Sequence, residues 1–198
     1  MSSAEASQHP TRSAQLEVSL RWGGAPLLPS ARSKVSLTVG TTQCTVEVEA
    51  PAHGDPPPPG PPGHRYGLWS YEVVELFIAS DENPNRYLEL ELGPHQHFLI
   101  LAFSSVRSPD AIQRSAAAHP ALSYQASPLP MERWRARLTF PTSWLPPGPR
   151  WRACAFAIHG RGEQRAYEVS APLQGDLPDF HQPELFPLLS WSHPTHRI

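Results

Sequence analysis

The chain has 198 residues, of which 39% are hydrophobic, enough for one substantial core. Its 16 basic residues nearly balance its 18 acidic ones, and a net charge of -2 gives no electrostatic ground for a nucleic-acid partner. No apolar run approaches the roughly 20 residues of a membrane span and the N-terminus MSSAEASQHPTRSAQ lacks a hydrophobic signal core, so a cytoplasmic protein without membrane association is expected.

In chain order, residues 1–14 read as a polar, flexible tail and residues 15–198 as a single domain. The 25 prolines leave no convincing helical period, and the apolar residues fall instead in short bursts bounded by Pro, Gly, Asn and Asp. Strands are expected at 15–22, 34–40, 44–50, 71–79, 86–93, 97–104, 122–127, 133–141, 151–159 and 166–172. The expected fold is therefore all-β, an antiparallel two-sheet β-sandwich of about ten strands. Between the third and fourth of these strands lies PAHGDPPPPGPPG (51–63), a stretch that cannot join a central ladder and reads as a stiff connecting loop. Cys44 and Cys154 form no CxxC pair, so two reduced and buried thiols are expected, with no metal site and no cofactor.

Side chains alternate across a strand, so RYLELEL sets Leu88, Leu90 and Leu92 against Tyr87, Glu89 and Glu91. In RWRARLTF the same alternation sets Trp134, Ala136, Leu138 and Phe140 against Arg133, Arg135 and Arg137. Glu89 and Glu91 are accordingly expected on a wet face, open to pairing with that arginine row. YEVVELFIA differs, because both of its faces are partly apolar, which marks a central strand. Glu75, flanked on its own face by Val73 and Phe77, must then reach a ligand or an internal arginine such as Arg161 or Arg165.

A Trp, an acidic residue, V-V-E-L-F-I and then Y-x-E-x-x-x-x-P occur here as Trp69, Glu72, Val73 to Ile78, Tyr87, Glu89 and Pro94. That order resembles carbohydrate-binding module family 9-like (DOMON-like) β-sandwiches. WRARLTFPTSWLPPG, CAFAIHGR, AYEVSAP and DFHQPELFPLLSW resemble the later strands and final motif of the same group. LWSYEVVE, YLELELGPH, FAIHG and DFH are closer still to an uncharacterised protein family of animals and bacteria. The resemblance spans about residues 15 to 191.

It implies a non-catalytic binding domain for a small polyhydroxylated, sugar-like ligand. Trp69 would stack on the C–H face of a pyranose and Glu75 would accept from its hydroxyls. His97, His159, Arg161, Tyr167 and His181 would complete the site, with Gln96 as an alternative to His97. One departure stands out: HGRGEQR lacks the second Trp that clamps the ring in sugar-binding members, leaving Tyr167 as the available substitute.

Other readings apply to the same residues. Trp69 could plug the sandwich end, and His95 and His97, beginning at a turn, are expected at the surface and not at a metal. Enzyme status is left open. A glycosidase would need two carboxyl groups flanking the scissile bond, and Glu75 with Glu89 or Glu72 with Glu91 are the available pairs. No GxSxG, HExxH or phosphate loop is present. A protein-interaction domain using the proline loop or a sheet face, with no small ligand, is the third reading.

Overall fold

The computed structural model describes residues 11–110 and 119–192. Within them lie β1 (Arg12–Val18), β2 (Leu20–Arg21), β3 (Ser33–Val39), β4 (Gln43–Pro51), β5 (Gly63–His64), β6 (Val73–Ser80), β7 (Tyr87–Leu92), β8 (His97–Ser105), β9 (Ser108–Pro109), β10 (Ser123–Leu129), β11 (Arg133–Pro141), β12 (Trp151–His159) and β13 (Ala166–Val169). Among the described residues there is no α-helix, and thus none long and apolar enough to cross a membrane. The fold is the expected antiparallel two-sheet β-sandwich.

One sheet runs β1-β3-β4-β11-β10, and the larger one runs β2-β13-β12-β6-β7-β8-β5, with β9 paired to β8. The pairings are antiparallel except that of β5 with β8. Strand order places β6 and β7 inside the larger sheet, with neighbours on both edges.

The strand expected at 15–22 is divided, because the chain changes sheet at Ser19 and enters β2 beside β13. Its start also lies earlier. Residues 1–10 of the expected tail are outside the described residues, while Arg12 to Ala14 belong to β1. Ser13 exchanges backbone hydrogen bonds with Ser192, and the Arg12 guanidinium lies 4.5 Å from the Trp151 ring centroid and 4.2 Å from that of Trp191. These contacts bring the two ends of the described chain together, a constraint that no local pattern carries.

The main core fills the space between the sheets, where Val35, Leu37, Val46 and Leu138 meet Leu76, Ile78, Leu90 and Ala155. On the far side of the five-stranded sheet the arginine row is wet. Arg133 pairs with Glu49 at 3.1 Å and Arg137 with Glu47 at 3.8 Å, both partners lying on adjacent β4. The expected pairing with Glu89 and Glu91 does not occur, since those residues lie on the other sheet.

β6 and β7 are buried on both faces along their whole length. Their outer side is covered by a second apolar cluster in which Phe77, Tyr87 and Phe156 pack with Phe180 and Phe186 of the C-terminal segment and Leu68 of a short turn. Burial on both faces is the reason Glu89 and Glu91 are not on a wet surface. They are 4% and 0% exposed.

Residues 52–62 carry no strand and cross from β4 to β5. Backbone amides of His53 and Asp55 donate to Glu72 at 3.0 and 3.3 Å, Asp55 accepts from the Gly160 amide at 2.7 Å, and the Asp55 carbonyl meets His95 Nε2 at 2.9 Å. The His53 ring stacks on His159 with centroids 3.4 Å apart. Burial, then the neighbouring His159, lowers the His53 pKa to about 4, so both rings coexist without facing charges. Gly160 has φ +73 and a Cβ there would sit 2.3 Å from the Gln164 carbonyl oxygen, so this corner requires glycine. Cys44 and Cys154 are free and buried.

Leu76 is fully buried, with Leu90 and Ala155 as its cross-strand neighbours. Leu76→Ala is expected to cost about 2–5 kcal/mol in urea unfolding, since the rigid sheets cannot close over the lost methyl groups. Leu177→Ala, at a side chain 81% exposed, is expected to change the same measurement by less than about 0.5 kcal/mol.

Candidate functional site

The outer face of the larger sheet holds a cavity of about 450 Å³. Its floor follows from strand alternation and register. Val73, Glu75 and Phe77 share one face of β6, and Glu75 lies opposite Glu91 on β7 while Phe77 lies opposite Glu89. Glu89 in turn faces Leu101 of β8. Directly paired residues in an antiparallel sheet have Cβ atoms about 4.5–5.5 Å apart, so Glu75 and Glu91 are packed side by side, with Glu89 on the diagonal next to them.

These groups are deeply buried, Glu75 being 2% exposed. The carboxyl groups of Glu89 and Glu91 are hydrogen-bonded to each other, while no well-aligned N–H or hydroxyl of the described residues reaches Glu75 Oε1, Glu89 Oε2 or either oxygen of Glu91. Burial therefore dominates their protonation. It raises the Glu89 pKa to about 7, and it raises Glu75 and Glu91 well above the ordinary carboxylate range, helped at Glu75 by the charge of Glu89 and at Glu91 by both neighbours. A loose approach of the Trp69 amide to Glu91 and the more distant charge of Arg165 near Glu75 oppose this only in part.

Arg165 is not an ion-pair partner for Glu75. Its guanidinium donates to the carbonyls of Trp69, Ser70 and Gly160, tying the turn that carries Trp69 to the loop before β13. Trp69 is held by that turn with 36% of its surface exposed, so it is neither a core plug nor a free side chain. Tyr66 stands edge-on to it, with ring centroids 5.0 Å apart and planes at 80°.

The opposite rim comes from the C-terminal segment and the β8-β9 hairpin. Arg107 pairs with Asp179 at 2.5 Å, and the Asp179 carboxylate accepts the His181 amide at 3.1 Å. Tyr87 Oη accepts the Arg107 backbone N–H at 3.0 Å and is hydrogen-bonded to His181 Nδ1 at 2.7 Å. Burial pushes the Tyr87 phenol up to about 12 and His181 down, which keeps the phenol protonated and the imidazole neutral and sustains that chain.

Of the seven side chains expected to share a site, Trp69, Glu75, Tyr167 and His181 line this cavity. The other three do not. His97 begins β8 beside Gly63 and is 3% exposed, contrary to its expected surface position, because β5 covers it. His159 lies at the sandwich end, 3.3 Å from Glu168 and stacked on His53, and Arg161 is exposed in the neighbouring turn. Gln96 caps the start of β8 against Ala126, accepting its amide at 3.0 Å. Glu72 is engaged with the 53–55 amides, so it and Glu91 do not share a site.

Tyr66, Glu89, Phe103 and Asp179 also line the cavity. Glu89 was recoverable from the sequence, since its alternation with the leucines was visible and only the burial of its face was not. Tyr66, Phe103 and Asp179 reach the site through turns and long-range packing that carry no local signal.

No family model matches the chain. A mouse protein, the UPF0462 protein C4orf33 homolog, is 37% identical over 155 residues, covering 74% of this chain and 76% of that one. The human UPF0462 protein C4orf33 is 35% identical over 160 residues, covering 77% and 76%. The chain belongs to the UPF0462 family. Among solved structures, this UPF0462 chain is similar to a Bacteroides uniformis protein provisionally classed as carbohydrate-binding, with a TM-score of 0.60, 14% identity and coverage of 89% of this chain and 84% of that one. It is also similar to a family 9 carbohydrate-binding module from Caldicellulosiruptor kristjanssonii solved with glucose, with a TM-score of 0.51, 13% identity and coverage of 79% and 74%. At these identities the likeness is one of fold.

The carboxyl cluster makes stability depend on pH with a defined sign. The folded UPF0462 chain keeps protons on Glu75, Glu89 and Glu91 at pH values where the unfolded chain has lost them, so this contribution is full below about pH 4.5 and is lost as pH rises through the raised folded values, about 7 for Glu89. Glu91→Gln, a neutral isostere, is expected to gain about 1–3 kcal/mol relative to the parent in urea unfolding at about pH 8 and much less at about pH 5. Equal destabilisation at both values would show that Glu91 is not held against its own ionisation.

Proposed function

We propose that the cavity between Trp69 and His181 is the binding site of a small polyhydroxylated, sugar-like ligand, in a domain without catalytic activity. The observation that carries this reading is the pair of buried oxygens, Glu75 Oε1 and Glu89 Oε2, that no N–H or hydroxyl of the described residues reaches, on carboxyl groups that line an aromatic-rimmed cavity. Such oxygens are costly unless something outside the chain supplies donors. Sugar hydroxyls supply them.

Trp69 offers a partly open indole face for the C–H side of a pyranose ring, and Tyr66 and Tyr167 line the same space. Tyr167 thus stands where it could take the part of the absent second Trp. The fold shared with a module solved with glucose supports the reading. Hydrolysis fits less well, because Glu75, Glu89 and Glu91 are neighbours on two adjacent strands and do not flank a space from opposite sides.

Screening monosaccharides and short glycans by calorimetry tests the proposal. A ligand is expected whose affinity falls about tenfold or more in Trp69→Ala, a loss of about 1.4 kcal/mol or more. If the screen yields no ligand sensitive to that substitution, the cavity is not a sugar site.

A further inference from the structure

Resting on the sugar-site reading, the geometry points to a narrower ligand class: we propose that the UPF0462 cavity takes a polyhydroxylated ligand bearing a protonated primary amine, an amino sugar or aminopolyol, with the ammonium group set between Glu75 and Glu89. Hydroxyl groups alone would satisfy acceptors, but they would leave the electrostatic problem of the floor untouched. Glu75 and Glu91 face each other across a strand pair, and Glu89 lies diagonal to Glu75. Like charges at such positions repel, and burial strengthens the repulsion.

Among the described residues only the distant charge of Arg165 offsets it, and only in part. None of the three glutamates takes part in an ion pair among the described residues. Of the two guanidinium groups nearby, Arg165 is spent on three backbone carbonyls and Arg107 on Asp179 at the mouth. A ligand cation would supply what these do not.

The shape of the acceptor set selects the kind of cation. The buried oxygens that no N–H or hydroxyl reaches belong to two cavity-lining carboxyl groups on different strands, one to Glu75 and one to Glu89. A guanidinium binds best to two oxygens of one carboxylate, in a plane. An ammonium group is a compact charge with three donors pointing apart, which suits separate single oxygens. A quaternary ammonium has no donor and would leave both oxygens unsatisfied. The described residues contain no cluster of three or more His, Cys, Asp or Glu side chains able to hold a metal ion in its place. Trp69, Tyr66 and Tyr167 add ring faces, which favour a cationic ligand further.

Protonation supports the same view. Burial raises Glu89 to about 7 and raises Glu75 and Glu91 well above the ordinary carboxylate range, so the floor favours protonated carboxyl groups, and an entering ammonium would displace protons to solvent and draw the carboxylates into their charged form.

The test is calorimetry on the full chain at about pH 7.5 with D-glucose, 2-amino-2-deoxy-D-glucose, its N-acetyl derivative, 6-amino-6-deoxy-D-glucose and tetramethylammonium chloride. At least one amino sugar is expected to bind about tenfold or more tightly than glucose, with the gain abolished by N-acetylation where the 2-amino group carries it. Glu89→Gln is expected to remove most of that ratio, and its unfolding transition compared with the parent establishes that it is folded. Glu75→Gln provides the second variant should Glu89→Gln not fold. Glucose binding that depends on Trp69 without any amino-sugar preference would overturn this inference and leave the sugar site standing. Tetramethylammonium binding as tight as that of the amino sugars would also overturn it, since donors would then not matter. No binding by any of the probes, nor by the wider glycan screen, would remove both readings.

Discussion

Register between β6 and β7 is the constraint on which the rest of the molecule depends. The inner faces of these strands, carrying Val74, Leu76, Ile78, Leu88, Leu90 and Leu92, are locked into the core between the sheets. Because side chains alternate with a period of two, a slip by one residue would drive carboxylates into that core and leucines out of it. The register that buries the leucines therefore also sets Glu75 opposite Glu91 and Glu89 beside them. An unfavourable cluster of acids follows from a favourable packing of hydrocarbon, and the core is large enough to hold it in place.

The second requirement is a cover for the outer face. Without one, these glutamates would be solvated and unremarkable in their ionisation. Phe180 stacks on Phe156 with centroids 4.0 Å apart, and Phe186 packs edge-on to Phe77, so the C-terminal segment is anchored on aromatic rings of the sheet. Beyond those anchors the segment is held by a polar chain from Arg107 through Asp179, His181 and Tyr87. The cavity is what remains between this segment and the turn that carries Trp69. Apolar burial and polar satisfaction are thus divided between the edges and the floor, where the buried glutamate oxygens lack N–H and hydroxyl donors among the described residues.

Membership of the UPF0462 family and the sandwich fold shared with carbohydrate-binding proteins describe the same scaffold from two directions. The scaffold is general, whereas the floor is particular to these residues. At one end of the sandwich Glu72, Asp55, His53 and His159 bind the proline-rich crossing to its neighbours. The outer face is the contrary case. Its buried glutamate oxygens find no N–H or hydroxyl donor among the described residues.

Much was determined by the sequence alone. Proline frequency and short alternating runs dictate an all-β chain, because proline removes the helical hydrogen bond and a two-residue period buries one face of a strand. The double-sided apolar character of YEVVELFIA marks a central strand in the same way, and it singles out Glu75. Tertiary structure decided the remainder. Only the sheet order could place the arginine row beside Glu47 and Glu49 and away from Glu89 and Glu91, since strand neighbours distant in sequence leave no trace in local composition. The division of the first strand at Ser19, the burial of His97 under β5 and the arrival of Tyr66, Phe103 and Asp179 at one cavity depend likewise on where the chain returns. Alternation tells which side chains share a face; whether that face meets water, a covering segment or a ligand depends on contacts between residues far apart in the chain, such as Tyr87 with His181 at a separation of 94.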